Sequence, residues 1–213
     1  GEVSAAGTAA VATDSGYVQL IDVAALRAVV AAGHPVEVTR PMGAFAVEGL
    51  PLAIVRLEPS EATLAIVRDA FDLGPVRTMQ SDVEFGFRQI VDIALKAISP
   101  AVNDPSTACT CIDHLSRLLV RAARYPAIAT EPMLDLRPVR HGDLVDLSFE
   151  QIRQYGKSDM AVALRLLRAM GDVASVLRDE DGRTRLLAQA RLLERAVRVH
   201  FPEEECQEWT RRC

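Results

Sequence analysis

With 213 residues, 49% of them hydrophobic and 25% charged, the chain has the length and composition of a folded protein with an ample core, and a disordered polymer is excluded. A formal charge of -5 without a long basic run gives little support for a phosphate-tracking surface, so no nucleic-acid partner is expected. Of the 24 basic residues only Lys96 and Lys157 are lysine, which leaves two candidates for any lysine chemistry.

Residues 1–10 are small and patternless and read as a disordered lead-in. From 11 to 58 the text alternates in the manner of short strands, "AVATDSGYVQLID", "PVEVTR" and "PLAIVRL", punctuated by Gly16, Gly33, Gly43 and Gly49. Between the first two lies "VAALRAVVAAG", a short amphipathic helix stopped by Gly33 and Pro35. This predicts a small β-rich unit with one inserted helix.

After Pro59 the pattern turns helical. Ser60 is placed to cap a helix running to about Leu73, where Gly74-Pro75 ends it. Ser81 and Glu84 have the spacing of a capping box for a helix from about Asp82 to Ile98. Phe87, Val91, Leu95 and Ile98 form one apolar stripe on it, and Ile90, Ile93, Ala94 and Ala97 a second, which predicts a helix central to the core. Asp104 as N-cap with Pro105 at the first helical position starts another, to about Arg124. A proline-rich connector, 125–142, precedes two long helices, 147–178 with a break near Gly156 and 184–199. Residues 59–200 are thus expected to be an α-helical bundle and 201–213 a tail. The fold class is α+β: a small barrel-sandwich-like β unit followed by a mainly α-helical bundle.

Cys109, Cys111, Cys206 and Cys213 lack the spacing of a secreted disulfide framework, so a reducing compartment is the default. No leader pattern opens the chain, and no apolar run reaches the roughly 18 residues of a bilayer span, so the fragment reads as soluble. Its abrupt start without methionine suggests a piece cut from a longer protein.

The stretch "ISPAVNDPSTACTCIDH", 98–114, concentrates polar groups between two apolar helices. Arg88, Asp92 and Lys96 share one stripe by their spacing of four, and charges on a buried helix need partners. Antiparallel packing across the Ser99–Asp104 turn would gather Arg88, Gln89, Asp92, Ser99, Asn103, Asp104, Thr107 and Asp113 near one end of the bundle. One reading is a pocket for a small anionic ligand anchored by Arg88. The other is a cap and ion-pair network that fixes a helix corner. The "CTCIDH" pairs point to different sides of a helix, so no metal site is expected. No G-x-S-x-G, P-loop or G-x-G-x-x-G signature appears, and no cofactor is expected.

The rhythm "SGYVQLID … GHPVEVTRPMGAFAVEGLPLAIV" resembles the barrel-sandwich module of biotinyl and lipoyl carriers and of membrane-fusion adaptors, with Gly43 to Leu52 closing a hairpin. The segment has no lysine, which removes a swinging-arm cofactor. The phrases "SGYVQLID", "LGPVRTMQSDVEFGFRQIVDIALKAISPAVNDPSTACTCIDHL" and "FEQIRQYG", with the closing leucine-rich helices, resemble a bacterial predicted-membrane-protein family labelled domain of unknown function 2254. Its phrase falls on Arg77, Asp82, Arg88, Gln89, Asp92, Ser99, Asn103, Asp104, Thr107 and Asp113 among others.

The resemblance implies that N-terminal transmembrane helices precede this portion in an inner-membrane parent. It brings no activity. The expected role is a soluble, non-enzymatic ligand-sensing or assembly domain, cytoplasmic and homo-oligomeric through the apolar stripes of its last two helices. Its partners would be itself, the transmembrane helices and a small anionic ligand. The alternative is an enzyme, possibly hydrolase-like, whose site is the Ser99–Asp113 segment.

Overall fold

The computed structural model describes residues 7–125, 131 and 133–201. It forms two compact units, Gly1–Phe85 with Ile128–Pro138 and Gly86–Ala127 with Val139–Cys213.

The first unit holds two sheets. One orders β1 (Gly7–Val11), β5 (Pro51–Arg56), β3 (Val36–Val38) and β7 (Leu134–Asp135), and the other orders β4 (Phe45–Ala46), β2 (Gly16–Ile21) and β6 (Phe71–Gly74). Strand chemistry follows the pleat: in β3, Val36 and Val38 are buried, while Glu37 turns outward and meets Arg56 at 3.0 Å. Helix α1 (Val23–Ala31) is capped by Asp22, which accepts the N–H groups of Ala24 and Ala25, and it buries Leu26 and Val29. Helix α2 (Glu61–Asp69) is capped by Ser60 and buries Leu64 and Val67. These side chains join Val18, Leu52, Val55, Phe71 and Leu134 in one apolar core.

Several expectations are corrected here. Gly7–Ala10, read as lead-in, belong to β1, because the small side chains of "GTAAV" suit a strand paired with β5; residues 1–6 lie outside the described residues. The helix from Ser60 ends at Asp69, and "FDLG" is strand β6, antiparallel to β2. Both elements belong to the first unit and not to the bundle. Gly43 to Leu52 does not close a two-strand hairpin: β4 pairs with β2, whereas β5 pairs with β1 and β3, so the chain crosses from one sheet to the other. The proline-rich connector supplies β7, which runs parallel to β3 with Leu134 opposite Val36.

The second unit is built from the helices α3 (Val83–Ala97), α4 (Pro105–Ala122), α5 (His141–Gly156), α6 (Met160–Val176) and α7 (Glu180–His200). The division of the chain falls in the first turn of α3. Helix α4 lies chiefly against α6, and α5 against α7. Phe149, Ile112, Leu115, Ile152, Leu166 and Leu193 are fully buried, each worth about 1.5–3 kcal/mol by the apolar area it removes from water. The expected break near Gly156 separates α5 from α6, and α5 begins six residues earlier than the apolar pattern suggested, at His141. At Gly156 any side chain would meet the Val162 methyl groups, so a glycine is required for the close approach of the two helices.

Candidate functional site

The polar stretch between α3 and α4 is a helix corner closed by its own hydrogen bonds. Ser99 Oγ donates to the Lys96 carbonyl at 2.7 Å, and the Asp104 N–H donates to the Ala97 carbonyl at 2.8 Å. Asn103 takes φ +49, a left-handed conformation that asparagine tolerates better than most residues. Asp104 caps α4, accepting from the Thr107 N–H at 3.0 Å and from the Thr107 hydroxyl.

Those two Thr107 donors, the hydroxyl first, hold the Asp104 carboxyl below the usual carboxylate range. A depressed native pKa means the carboxylate stabilises the fold above its ordinary value and ceases to do so as pH falls through the lowered one. Asp104→Asn keeps an acceptor at the cap and removes the titration. Its melting temperature is therefore expected to vary less with pH in the acid range than that of the parent, as a pH series of thermal melts will show.

The charged residues of the stripe do not converge. In α3 the buried face is Phe87, Val91, Ala94 and Ala97, while Gln89, Asp92, Ile93 and Lys96 are exposed. The helix is amphipathic and not apolar all round, so Asp92 and Lys96 stay solvated and need no buried partner. Arg88 turns to α5 and donates through Nη1 to Gln151 Oε1 at 2.9 Å. Asp113 turns to α6, where Arg165 Nη1 reaches both its carboxylate oxygens at 3.0 and 2.8 Å. Both partners of that pair are more than a third exposed, which limits its worth to about 1 kcal/mol. The cysteines of the stretch point inward: Cys111 is buried, Cys109 donates weakly to the Ala161 carbonyl at 3.7 Å, and burial pushes both thiols up. Thiols so shifted make poor nucleophiles. Among the described residues no group of acids, histidines and cysteines could hold a metal ion.

The earlier half of the same phrase builds a tighter arrangement in the first unit. Arg77 Nε and Nη2 donate to Asp82 Oδ2 at 2.8 and 2.6 Å, Asp82 is 5% exposed, and its other oxygen accepts the Phe85 N–H at 2.9 Å. Asp82 therefore receives the first turn of α3, the role the sequence reading gave to Ser81. The Arg77 guanidinium also lies 5.0 Å from the Phe85 ring centre. Gly43, at φ +76, packs directly against this pair.

What sequence reasoning missed lies on α6. A cavity of about 480 Å³ runs along Ala161, Leu164, Arg165, Arg168 and Asp172, and another of about 310 Å³ lies between α6 and α7 at Met170, Ala174, Leu186 and Ala190. Leu167 and Gly171 line both, so the two cavities adjoin at these residues. The signal was available in "RAMGDVAS": a glycine inside a helix costs up to about 1 kcal/mol relative to alanine and asks for a reason.

The model of a family described as "Predicted membrane protein (DUF2254)" matches residues 2–172, which takes in both halves of the phrase and most of α6. The chain belongs to the DUF2254 family. It is 35% identical over 145 residues to the uncharacterized protein Rv1290c of Mycobacterium tuberculosis and to the uncharacterized protein Mb1321c of Mycobacterium bovis. Each alignment covers 62% of this chain and 27% of the relative, so the match spans about a quarter of those longer proteins. No solved structure matches this DUF2254 chain. Among its described residues no helix is long and apolar enough to cross a membrane.

Proposed function

We propose that this portion of the DUF2254 protein is a non-enzymatic, ligand-sensing assembly domain of a bacterial inner-membrane protein, in which two copies pair through the exposed face of α6. The observation that carries the reading is Gly171. It sits inside a helix, exposed, with nothing within 4 Å of where a side chain would begin, so no contact among the described residues calls for a glycine there. A residue that weakens a helix without serving its own fold is accounted for when a second helix approaches the bare backbone closely.

The surroundings support the same pairing. The two adjoining cavities together follow α6 from Ala161 to Ala174, about 20 Å at 1.5 Å per residue, a length that matches a facing helix. Arg168 and Asp172 stand one turn apart beside Gly171, exposed and with no ion-pair partner among the described residues. An antiparallel two-fold contact sets Arg168 of each copy against Asp172 of the other. The same register brings Leu164 toward Val176, which is 38% exposed. The free thiols of Cys109 and Cys111 favour a cytoplasmic position, with the rest of the parent supplying the transmembrane helices as partners.

Sedimentation equilibrium of the chain at tens of micromolar is expected to give a dimer. Gly171→Leu should sediment as a monomer while melting at the same or a higher temperature, because leucine favours the helix. A monomeric parent chain at that concentration overturns the reading.

A further inference from the structure

We propose that one end of the helical unit is a binding site for a phosphate monoester, with Arg124 and Arg178 supplying its charge. The residues that follow α4, the first residue of α5 and the turn between α6 and α7 line an open cleft of about 460 Å³, with Arg124, Tyr125, His141, Leu177, Arg178 and Asp179 on its walls. That volume lies within the range of about 300–1,000 Å³ usual for small-molecule sites.

The two arginines reach this cavity from separate segments, and both are exposed. Neither side chain makes a hydrogen bond or ion pair among the described residues, whereas Arg27, Arg56, Arg68, Arg77, Arg165 and Arg185 each meet a carboxylate. Two unpaired guanidinium groups on one cavity repel each other until an anion joins them, and their planar forks match phosphate oxygens two at a time. The nearby carboxylate, Asp179, is committed elsewhere: its Oδ2 accepts the Gly182 N–H at 2.7 Å and caps α7.

Two further observations point the same way. Helices α1, α2, α4, α6 and α7 open on Asp or Ser oxygens, but α5 opens on Arg140, whose side chain has no acceptor to offer the first-turn N–H groups. His141, the first residue of α5, has Nε2 at 3.2 Å from the Ala122 carbonyl, so that nitrogen carries the hydrogen. Its Nδ1 is screened from water and has no partner among the described residues. A buried ring nitrogen left unpaired is costly. A turn of the ring about its side-chain bonds would bring Nδ1 to the cavity that His141 lines, where a phosphate hydroxyl can donate to it. Tyr125 and Leu177 then wall the ester group, which is why an ester and not free phosphate fills the space.

A phosphate monoester reaches such a site either as a soluble metabolite or as a lipid headgroup. The chain is titrated calorimetrically with glycerol 3-phosphate and, separately, floated with phosphatidylcholine vesicles with and without phosphatidic acid. The same is done for the Arg124→Ala/Arg178→Ala double variant and for His141→Gln, whose amide retains a donor for the Ala122 carbonyl. The arginines are exposed, so the double variant is expected to melt as the parent does, which a thermal scan checks.

The parent is expected to bind one phosphate probe with a dissociation constant below about 1 mM. The double variant should bind at least tenfold more weakly, and His141→Gln more weakly than the parent. Binding of glycerol 3-phosphate upholds a soluble ligand, and binding only of vesicles with phosphatidic acid upholds a headgroup. No binding of either probe by the parent, or equal binding by the folded double variant, overturns the site.

Discussion

Gly43→Ala is expected to destabilise the β-rich unit by about 3–5 kcal/mol, far more than an exposed substitution in a loop. Two costs combine. Alanine at φ +76 is strained by about 1 kcal/mol. Its methyl group would also occupy the space of the Asp82 carboxylate and the Arg77 guanidinium. Displacing either leaves a charge unpaired where Asp82 is 5% exposed, and it costs the Phe85 N–H its acceptor. Gly49→Ala is the control, because Gly49 has nearly the same φ, +79, but nothing within 4 Å of an added methyl. It should lose only the backbone part, about 1 kcal/mol. The readout is native-state hydrogen exchange at the Val18 amide, which donates to the Ala44 carbonyl and opens with this unit. Equal effects of the two substitutions would show that the ion pair does not constrain the turn.

The contrast between those glycines shows what was readable in the text and what was not. Both marked turns equally in sequence, since turn chemistry is local. Only the fold brings Arg77 and Asp82 to Gly43, some 35 to 40 residues away along the chain. Local signals elsewhere were dependable: Asp104 with Pro105 opened α4, Ser60 opened α2, and "VAALRAVVA" became α1. The failures came where tertiary pairing overrides local preference. "FDLG" follows a helix without a proline or glycine to announce the change, and it is a strand because β2 offers it an edge.

The partners of the candidate site residues were hidden for a related reason. Spacing put Arg88, Asp92 and Asp113 within imaginable reach, but spacing on two helices does not say which third helix each will face. Helix α5 takes Arg88 and α6 takes Asp113. The residues that decide the candidate surfaces were visible only as oddities, an exposed glycine in α6 and a helix opening on Arg140.

The polar seam between α5 and α7 was wholly hidden, and it carries the other large effect. Arg153, 9% exposed, donates through Nε to Gln189 Oε1 at 2.8 Å, and Gln189 Nε2 donates to Asp146 Oδ1 at 2.8 Å. Asp146 in turn meets Arg185 at 2.8 Å, and Arg185 reaches Asp143 and Asp181, each at 3.2 Å. The three carboxylates, Asp146 foremost, hold the Arg185 guanidinium firmly protonated. Among the described residues no carboxylate is in contact with Arg153. Burial pulls its pKa down and the Glu150 charge acts the other way, and Gln189 Oε1 is the acceptor that compensates the buried guanidinium.

Gln189→Leu is therefore expected to cost about 2–4 kcal/mol, since it leaves a buried guanidinium without an acceptor. Arg153→Met combined with Gln189→Leu should return to within about 1 kcal/mol of the parent, because well-packed apolar side chains replace a buried polar pair at little loss. Denaturant titrations of the two single variants and the double variant give the coupling directly. An additive double variant, losing the sum of both single effects, would mean that Arg153 is held by solvent and not by Gln189. The seam would then contribute through Asp146 and Arg185 alone, and α5 and α7 would owe their pairing to Phe149, Ile152, Leu186 and Leu193.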